Sequence, residues 1–298
     1  MTPIHGVRSE RVCGGAGIPL PQYQASLGLG SLWIACPTLS TILRVGPRSG
    51  SVRSTLHAPA AFAVAAGPSR VWALGFGGIR LYGLDRATKR VVVRAALPAA
   101  ASYVWSAGGA VWVGEDGALD RFSPTGKRVA RFQLDHPSDV VSDGRTLLVI
   151  AHGDNTLHRI DLATNRISAL GTQLAPPETA AVERVALRDG VLWLTGRGAG
   201  LLRVDPATGT VLGTTPLDPG GIDVAATSDA VWVAVYKAAA QRKGLPVVAD
   251  LLRIDPSTGT VVRRLTPQSK LDLTAFVADA HRVWLVDGVA GRLLHVQG

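Results

Sequence analysis

Short hydrophobic runs alternate with breaks rich in Gly, Asp, Ser and Pro along the whole chain. Seven of these runs share one pattern, a bulky residue between two apolar neighbours: Leu32-Trp33-Ile34, Val71-Trp72-Ala73, Val111-Trp112-Val113, Leu147-Leu148-Val149, Leu192-Trp193-Leu194, Val231-Trp232-Val233 and Val283-Trp284-Leu285. The central residues stand at 33, 72, 112, 148, 193, 232 and 284, a spacing near 40 with loop-sized insertions. Each copy reads alike. An apolar strand such as Phe62-Ala63-Val64-Ala65 precedes a turn, and the Trp-bearing strand follows. A third strand then alternates apolar and polar residues (Leu43-Arg44-Val45, Leu202-Arg203-Val204, Leu252-Arg253-Ile254), which predicts one buried and one solvated face. Asp205-Pro206-Ala207-Thr208-Gly209 recurs as Asp255-Pro256-Ser257-Thr258-Gly259, with Asp161-Leu162-Ala163-Thr164-Asn165 and Ser123-Pro124-Thr125-Gly126 as weaker relatives. In such a turn Asp bonds back to the backbone, Pro fixes φ, and Gly or Asn accepts positive φ. A β-branched fourth strand follows.

Four short hairpin-linked strands at this period make one propeller blade. The pattern therefore predicts an all-β fold, a seven-bladed β-propeller of four-stranded blades, as a single domain over residues 1–298. The recurring Trp is expected to be inter-blade core. The last copy ends after its third strand, Leu293-Leu294-His295-Val296, so the N-terminal segment Thr2–Val12 is expected to supply the outer strand of the last blade.

Composition changes this picture little. Hydrophobic residues at 47% and charged residues at 18% suit a packed core rather than disorder. The most apolar stretch, Ala60–Gly78, is interrupted by Pro68, Ser69 and Arg70, so no bilayer span is expected. Met1–Pro19 has no continuous apolar core of a signal peptide. The 31 Lys and Arg against 22 Asp and Glu give a formal charge of +9. These charges are dispersed, which argues against a nucleic-acid surface and leaves a polyanion binder as the weakest of three functional readings. Cys13 and Cys36 could form a disulfide tying the N-terminal segment to the first repeat, or stay reduced.

The repeated Leu-Trp-Leu and Leu-Leu-Arg-Val-Asp-Pro-Ala-Thr-Gly-Thr-Val pattern resembles the bacterial propellers of the virginiamycin B lyase and YVTN-repeat group, from Leu32 to Val296. The resemblance implies the fold, and it suggests a setting outside the cytoplasm. It also raises a metal-assisted carbon–oxygen lyase, in which histidines and a metal-held carboxylate act over the channel.

In a propeller the loops entering the innermost strands converge on the channel mouth. Counting back ten and nine residues from each anchor gives Tyr23 and Gln24, Phe62 and Ala63, Ser102 and Tyr103, Ser138 and Asp139, Glu183 and Arg184, Ile222 and Asp223, and Thr274 and Ala275, with Asp272 just beyond. The candidate binding set is Tyr23, Gln24, Tyr103, Ser138, Asp139, Glu183, Arg184, Asp223, Asp272 and Thr274. None is His, a departure from the lyase pattern. His57 and His136 are the acid–base candidates of that reading, provided they reach Asp139, Glu183 or Asp223. The insertion from Tyr236 to Asp250, with Lys237, Arg242 and Lys243, is a candidate interaction loop. There is no P-loop, no GxSxG elbow and no zinc spacing. No catalytic set and no metal set emerges. The leading expectation is a non-catalytic, monomeric scaffold that binds a small molecule or a protein and requires no cofactor, with room for a divalent cation.

Overall fold

A computed structural model gives the structure of the chain and describes residues 2–3, 10–13, 25–75, 77–171, 173–175, 180–236, 247–267 and 269–297. Two short strands, β1 (Thr2–Pro3) and β2 (Glu10–Arg11), come first. The first sheet is β3 (Ala25–Gly28), β4 (Ser31–Cys36), β5 (Thr41–Val45) and β6 (Val52–His57). The second is β7 (Ala63–Ala66), β8 (Val71–Leu74), β9 (Arg80–Leu84) and β10 (Val91–Ala96), and the third is β11 (Ala101–Ala107), β12 (Ala110–Glu115), β13 (Ala118–Phe122) and β14 (Arg128–Gln133). The fourth is β15 (Pro137–Ser142), β16 (Thr146–Ala151), β17 (Thr156–Asp161) and β18 (Ile167–Leu170). The fifth is β19 (Arg184–Arg188), β20 (Val191–Gly196), β21 (Ala199–Val204) and β22 (Val211–Thr215). The sixth is β23 (Gly221–Ala226), β24 (Val231–Tyr236), β25 (Val248–Ile254) and β26 (Val261–Thr266). The seventh has β27 (Leu273–Ala278), β28 (Arg282–Asp287) and β29 (Arg292–Gln297), with β2 outermost. The fold is an all-β, seven-bladed propeller.

The chain divides into two compact units, residues 1–7, 138–285 and 295–298 in one, and residues 8–137 and 286–294 in the other. Within the first, sheets four and five face each other through Leu148, Ile150, Leu157, Val185, Leu192 and Leu194. Sheets five and six do so through Trp193, Val224, Val233 and Leu252. Within the second, Trp33, Ile42, Val64 and Ala73 join sheets one and two, and Trp72, Leu74, Val104 and Val113 join sheets two and three.

The burial of each strand explains its composition. The second strand of a sheet is covered on both faces, so Ser31–Cys36, Ala110–Glu115 and Val231–Tyr236 are buried throughout. The fourth strand is an edge: β10 alternates half-buried and exposed residues, and Val52, Val129 and Val261 stay exposed. All six anchor tryptophans are buried, and Leu148 fills the seventh position.

The third strands differ from expectation. Their polar residue is half-buried rather than fully solvated, because it lies across from the anchor. Trp33 pairs with Arg44, Trp112 with Arg121 and Trp193 with Arg203. Each guanidinium sits over its indole, at 5.7, 5.5 and 6.0 Å from the ring centroid. In the last sheet His295 covers Trp284 at 4.7 Å, and His158 and His295 are both half-buried. A long cationic side chain can lay its apolar stem on an aromatic face and keep its head wet. Three of the dispersed arginines are engaged this way.

The Asp turns fold as their sequence requires. Asp205 and Asp255 receive the N–H of the glycine four residues on, with Gly209 and Gly259 at φ near +77° and +76°. Asp85-Arg86-Ala87-Thr88 is a further copy, in which Asp85 accepts from the Ala87 and Thr88 N–H groups.

The N-terminal segment is divided between two sheets. Glu10 and Arg11 pair antiparallel with Leu293 and Arg292, giving the seventh sheet its fourth strand. Thr2 and Pro3 instead run parallel to β26, opposite Leu265 and Thr266, as a fifth strand of the sixth sheet. Cys13 and Cys36 are joined by a disulfide, with Cα atoms 5.2 Å apart.

Candidate functional site

The site is built by the way each chain segment enters its innermost strand. In sheet six the ladder between β23 and β24 shifts register between Gly221 and Asp223, a bulge that re-aims the Asp223 side chain. In sheet five the incoming backbone lies flat on β20: Ala181 N–H donates to the Arg197 carbonyl and Glu183 N–H to the Thr195 carbonyl. Only glycine allows that approach at 196, where a Cβ would collide with the Ala181 carbonyl oxygen. Gly221 plays the same part against Thr195. The segment is fixed from the neighbouring sheet by Asn155, which is fully buried. Its amide donates to the Ala175 and Ala180 carbonyls at 3.1 and 2.7 Å and accepts from Val182 N–H at 2.8 Å.

These devices bring together residues from sheets four, five and six, all within one compact unit. Asp139 accepts from Val140 N–H at 2.9 Å and, across to the next sheet, from Val185 N–H at 3.0 Å. Arg184 donates to the Glu183 carbonyl at 3.0 Å and, more weakly, to the Ser138 carbonyl at 3.4 Å. Its Nε stands 3.8 Å from Asp223 Oδ2, and the two side chains remain 26% and 20% exposed. Asp223 Oδ1 accepts from Val224 N–H at 2.8 Å.

Burial pushes the Asp223 carboxyl up to about 7; Arg184 opposes the shift, while the Asp139 and Glu183 charges add to it. Tyr236 sits beside the same group. Burial and the Glu183 charge raise its phenol, and a hydrogen bond from Arg197 works against them.

The other sequence candidates are placed differently. Ser138 is buried, its hydroxyl 3.5 Å from the Ile150 carbonyl. Asp272 is buried and paired with Lys270 at 2.8 Å, and Thr274 is half-buried on β27. Tyr103, in the other unit, stacks on Trp105 with centroids 5.3 Å apart. Tyr23, Gln24, Lys237, Arg242 and Lys243 lie outside the described residues. Tyr236 is not a loop residue: it closes β24 and is buried. His57 ends an outermost strand and is exposed. His136 is held by Asp116 at 2.8 Å and Asp135 at 2.6 Å on an exposed turn.

Sequence reasoning missed Tyr236 and Arg197 as members of the cluster, because both follow rather than precede the Trp anchor. It also missed a buried ionic group in the other unit. Glu115 and Asp120, both without exposed side-chain surface, share Arg131 at 2.8 and 3.0 Å. Asp120 also meets Arg128 at 3.3 Å. An acid closing the otherwise apolar β12 and another within β13 were the available signal.

Among the described residues no group of three His, Cys, Asp or Glu is placed to hold a metal ion, and no helix is long and apolar enough to cross a membrane. No protein-family model matches the chain, and no curated protein matches it. Solved structures do. A hydrazine synthase chain from Kuenenia stuttgartiensis is 13% identical with a TM-score of 0.74, covering 95% of this chain and 97% of that one. BamB from Moraxella catarrhalis is 16% identical with a TM-score of 0.65, covering 98% and 99%. A streptogramin B lyase is 13% identical with a TM-score of 0.71, covering 100% of each. Identities this low establish a shared fold, and one fold hosts many functions.

Proposed function

We propose that this propeller is a non-catalytic binding scaffold whose ligand, a small molecule or an element of a partner protein, engages the cluster of Asp139, Glu183, Arg184, Asp223 and Tyr236. One observation carries the reading: three consecutive sheets each place a charged residue nine positions before the anchor, and these residues meet through the Arg184–Asp223 pair and the Asp139–Val185 hydrogen bond. A half-buried, mixed-charge group held by backbone bonds is costly to maintain unless it recognises something. The scaffold works as a monomer and needs no cofactor. The Cys13–Cys36 disulfide favours an oxidising, extracytoplasmic setting. A polyanion surface draws less support, since many arginines are engaged on indoles and in ion pairs.

A thermal-shift screen comparing the wild-type chain with Arg184→Ala tests the reading. A ligand at about 100 times its Kd adds roughly 2.7 kcal/mol. The expected result is a ligand that raises the wild-type midpoint by several degrees and shifts the variant by a clearly different amount, because removing the guanidinium beside Asp223 changes the charge any ligand meets. A ligand that shifts both equally places binding elsewhere and overturns the assignment.

A second reading, a lyase-like enzyme, is favoured by Asp223 alone. A carboxyl titrating near 7 is suited to general acid–base work. In that case Asp223 takes the role that sequence assigned to His57 or His136. Loss of turnover in Asp223→Asn, with binding retained, would establish it.

A further inference from the structure

We infer that the chemical group this cluster accepts is a primary ammonium, presented either by a free amine or by a lysine side chain of a partner. The inference rests on the binding-site reading above and specifies its ligand.

The argument is one of unspent hydrogen-bonding capacity. Asp139 has both oxygens occupied by backbone N–H groups. Arg184 is committed to two carbonyls and stands beside Asp223. Arg197 is hydrogen-bonded to Tyr236. What remains is acceptor capacity. Asp223 uses Oδ1 on Val224, and among the described residues the partner of its Oδ2 is Arg184 Nε at 3.8 Å, beyond hydrogen-bond length. The half-buried Glu183 carboxylate acts on both Asp223 and Tyr236, yet it has no hydrogen-bond or ion-pair partner of its own among the described residues. Two open carboxyl groups beside a phenol suit a compact cation with three N–H donors and no acceptor, which is what an ammonium is. An anionic ligand would meet Glu183 and Asp139 and find both arginines taken. Calcium requires six to eight oxygen ligands, more than these two carboxyl groups supply.

Such a ligand competes with a proton. Asp139 and Glu183 disfavour the ionised form of Asp223 and Arg184 favours it, while Tyr236 lies beside Glu183 and is hydrogen-bonded by Arg197. An ammonium selects ionised Asp223, so affinity should rise with pH through the range in which that carboxyl titrates.

Isothermal titration of the full chain with n-butylamine, with Nα-acetyl-lysine methylamide and with its uncharged norleucine counterpart tests the inference, and folding of each variant is checked by thermal midpoint. The lysine probe should bind about tenfold tighter at pH 8 than at pH 6, and the norleucine probe should not bind. Glu183→Gln and Asp223→Asn should each weaken the lysine probe, and Asp223→Asn should also abolish its pH dependence. Butylamine binding as well as the lysine probe identifies a free amine as sufficient; preference for the lysine probe identifies a partner side chain. Equal binding of the norleucine probe, or no loss in Glu183→Gln, overturns the ammonium assignment. If only acidic ligands bind, and Arg184→Ala abolishes them, the ammonium class fails while the site stands. If ligands bind irrespective of all three substitutions, the site fails as well.

Discussion

Asp139 Oδ2 accepts the backbone N–H of Val185 at 3.0 Å, so a side chain of the fourth sheet holds the innermost strand of the fifth. Both Asp139 oxygens serve backbone donors in a half-buried place. Asp139→Ala leaves those N–H groups without their partner, which costs about 1–3 kcal/mol. Asp139→Asn keeps an acceptor oxygen and should cost less. Urea denaturation of the two variants checks the order.

The neighbouring sixth sheet sets a pH dependence. Asp223 titrates near 7 when folded against an ordinary value of 3.8, so the folded state holds a proton that the unfolded chain has released. Unfolding is then increasingly favoured as pH rises from about 4 to about 7, and the loss levels off above that. Asp223→Asn removes this contribution. Its stability relative to wild type should grow across that window, by an amount on the order of a few kcal/mol. Parallel denaturation series at pH 4, 6 and 8 measure it, and a difference that stays constant with pH contradicts the assignment.

The buried ionic group of Glu115, Asp120 and Arg131 is the most fragile feature of the other unit. Burial alone would weaken the charge on Arg131, but its two carboxylate partners raise it above its ordinary value. Arg131→Met strands the buried Glu115 carboxylate and leaves Asp120 with Arg128 alone, and should destabilise the chain by about 3–5 kcal/mol. Replacing the carboxylates as well, with Glu115→Gln and Asp120→Asn, should recover part of that loss.

The arginines that cover the anchors make a graded series. Arg203→Ala should cost roughly 0.5–2 kcal/mol through the lost indole contact and stem. Trp193→Ala, which empties a fully buried position, should cost about 3–5 kcal/mol. If the arginine were merely solvated, its removal would be neutral.

The Cys13–Cys36 bridge spans 23 residues of sequence. Closing a loop of that size should contribute about 3 kcal/mol. Cys13→Ser with Cys36→Ser should lower the thermal midpoint accordingly. Removing residues 1–12 should lower it further, because Glu10 and Arg11 pair with β29.

Much of the architecture was legible because it repeats. The Trp anchors, the Asp turns and the strand alternation each appear several times, and every copy must satisfy the same local rules of pleat, turn and burial. A fixed distance back from the anchors also picks out Asp139, Arg184 and Asp223, which the Asp139–Val185 hydrogen bond and the Arg184–Asp223 pair link across three sheets. Position alone could not tell which candidates stay open. Asp272 carries the same carboxylate as Asp223, yet it is buried against Lys270.

The sequence by itself determined the strands, their turns and their number, since these depend on neighbours within a few residues. Only the tertiary structure decided what the polar residues do. It sent the third-strand arginines onto indoles, buried Glu115 and Asp120 around one guanidinium, and split the N-terminal segment between β26 and β29. It also left the Glu183 side chain without a partner among the described residues and raised the Asp223 carboxyl toward neutrality. Those outcomes depend on residues dozens of positions away, because desolvation and charge pairing act through space and have no period along the chain.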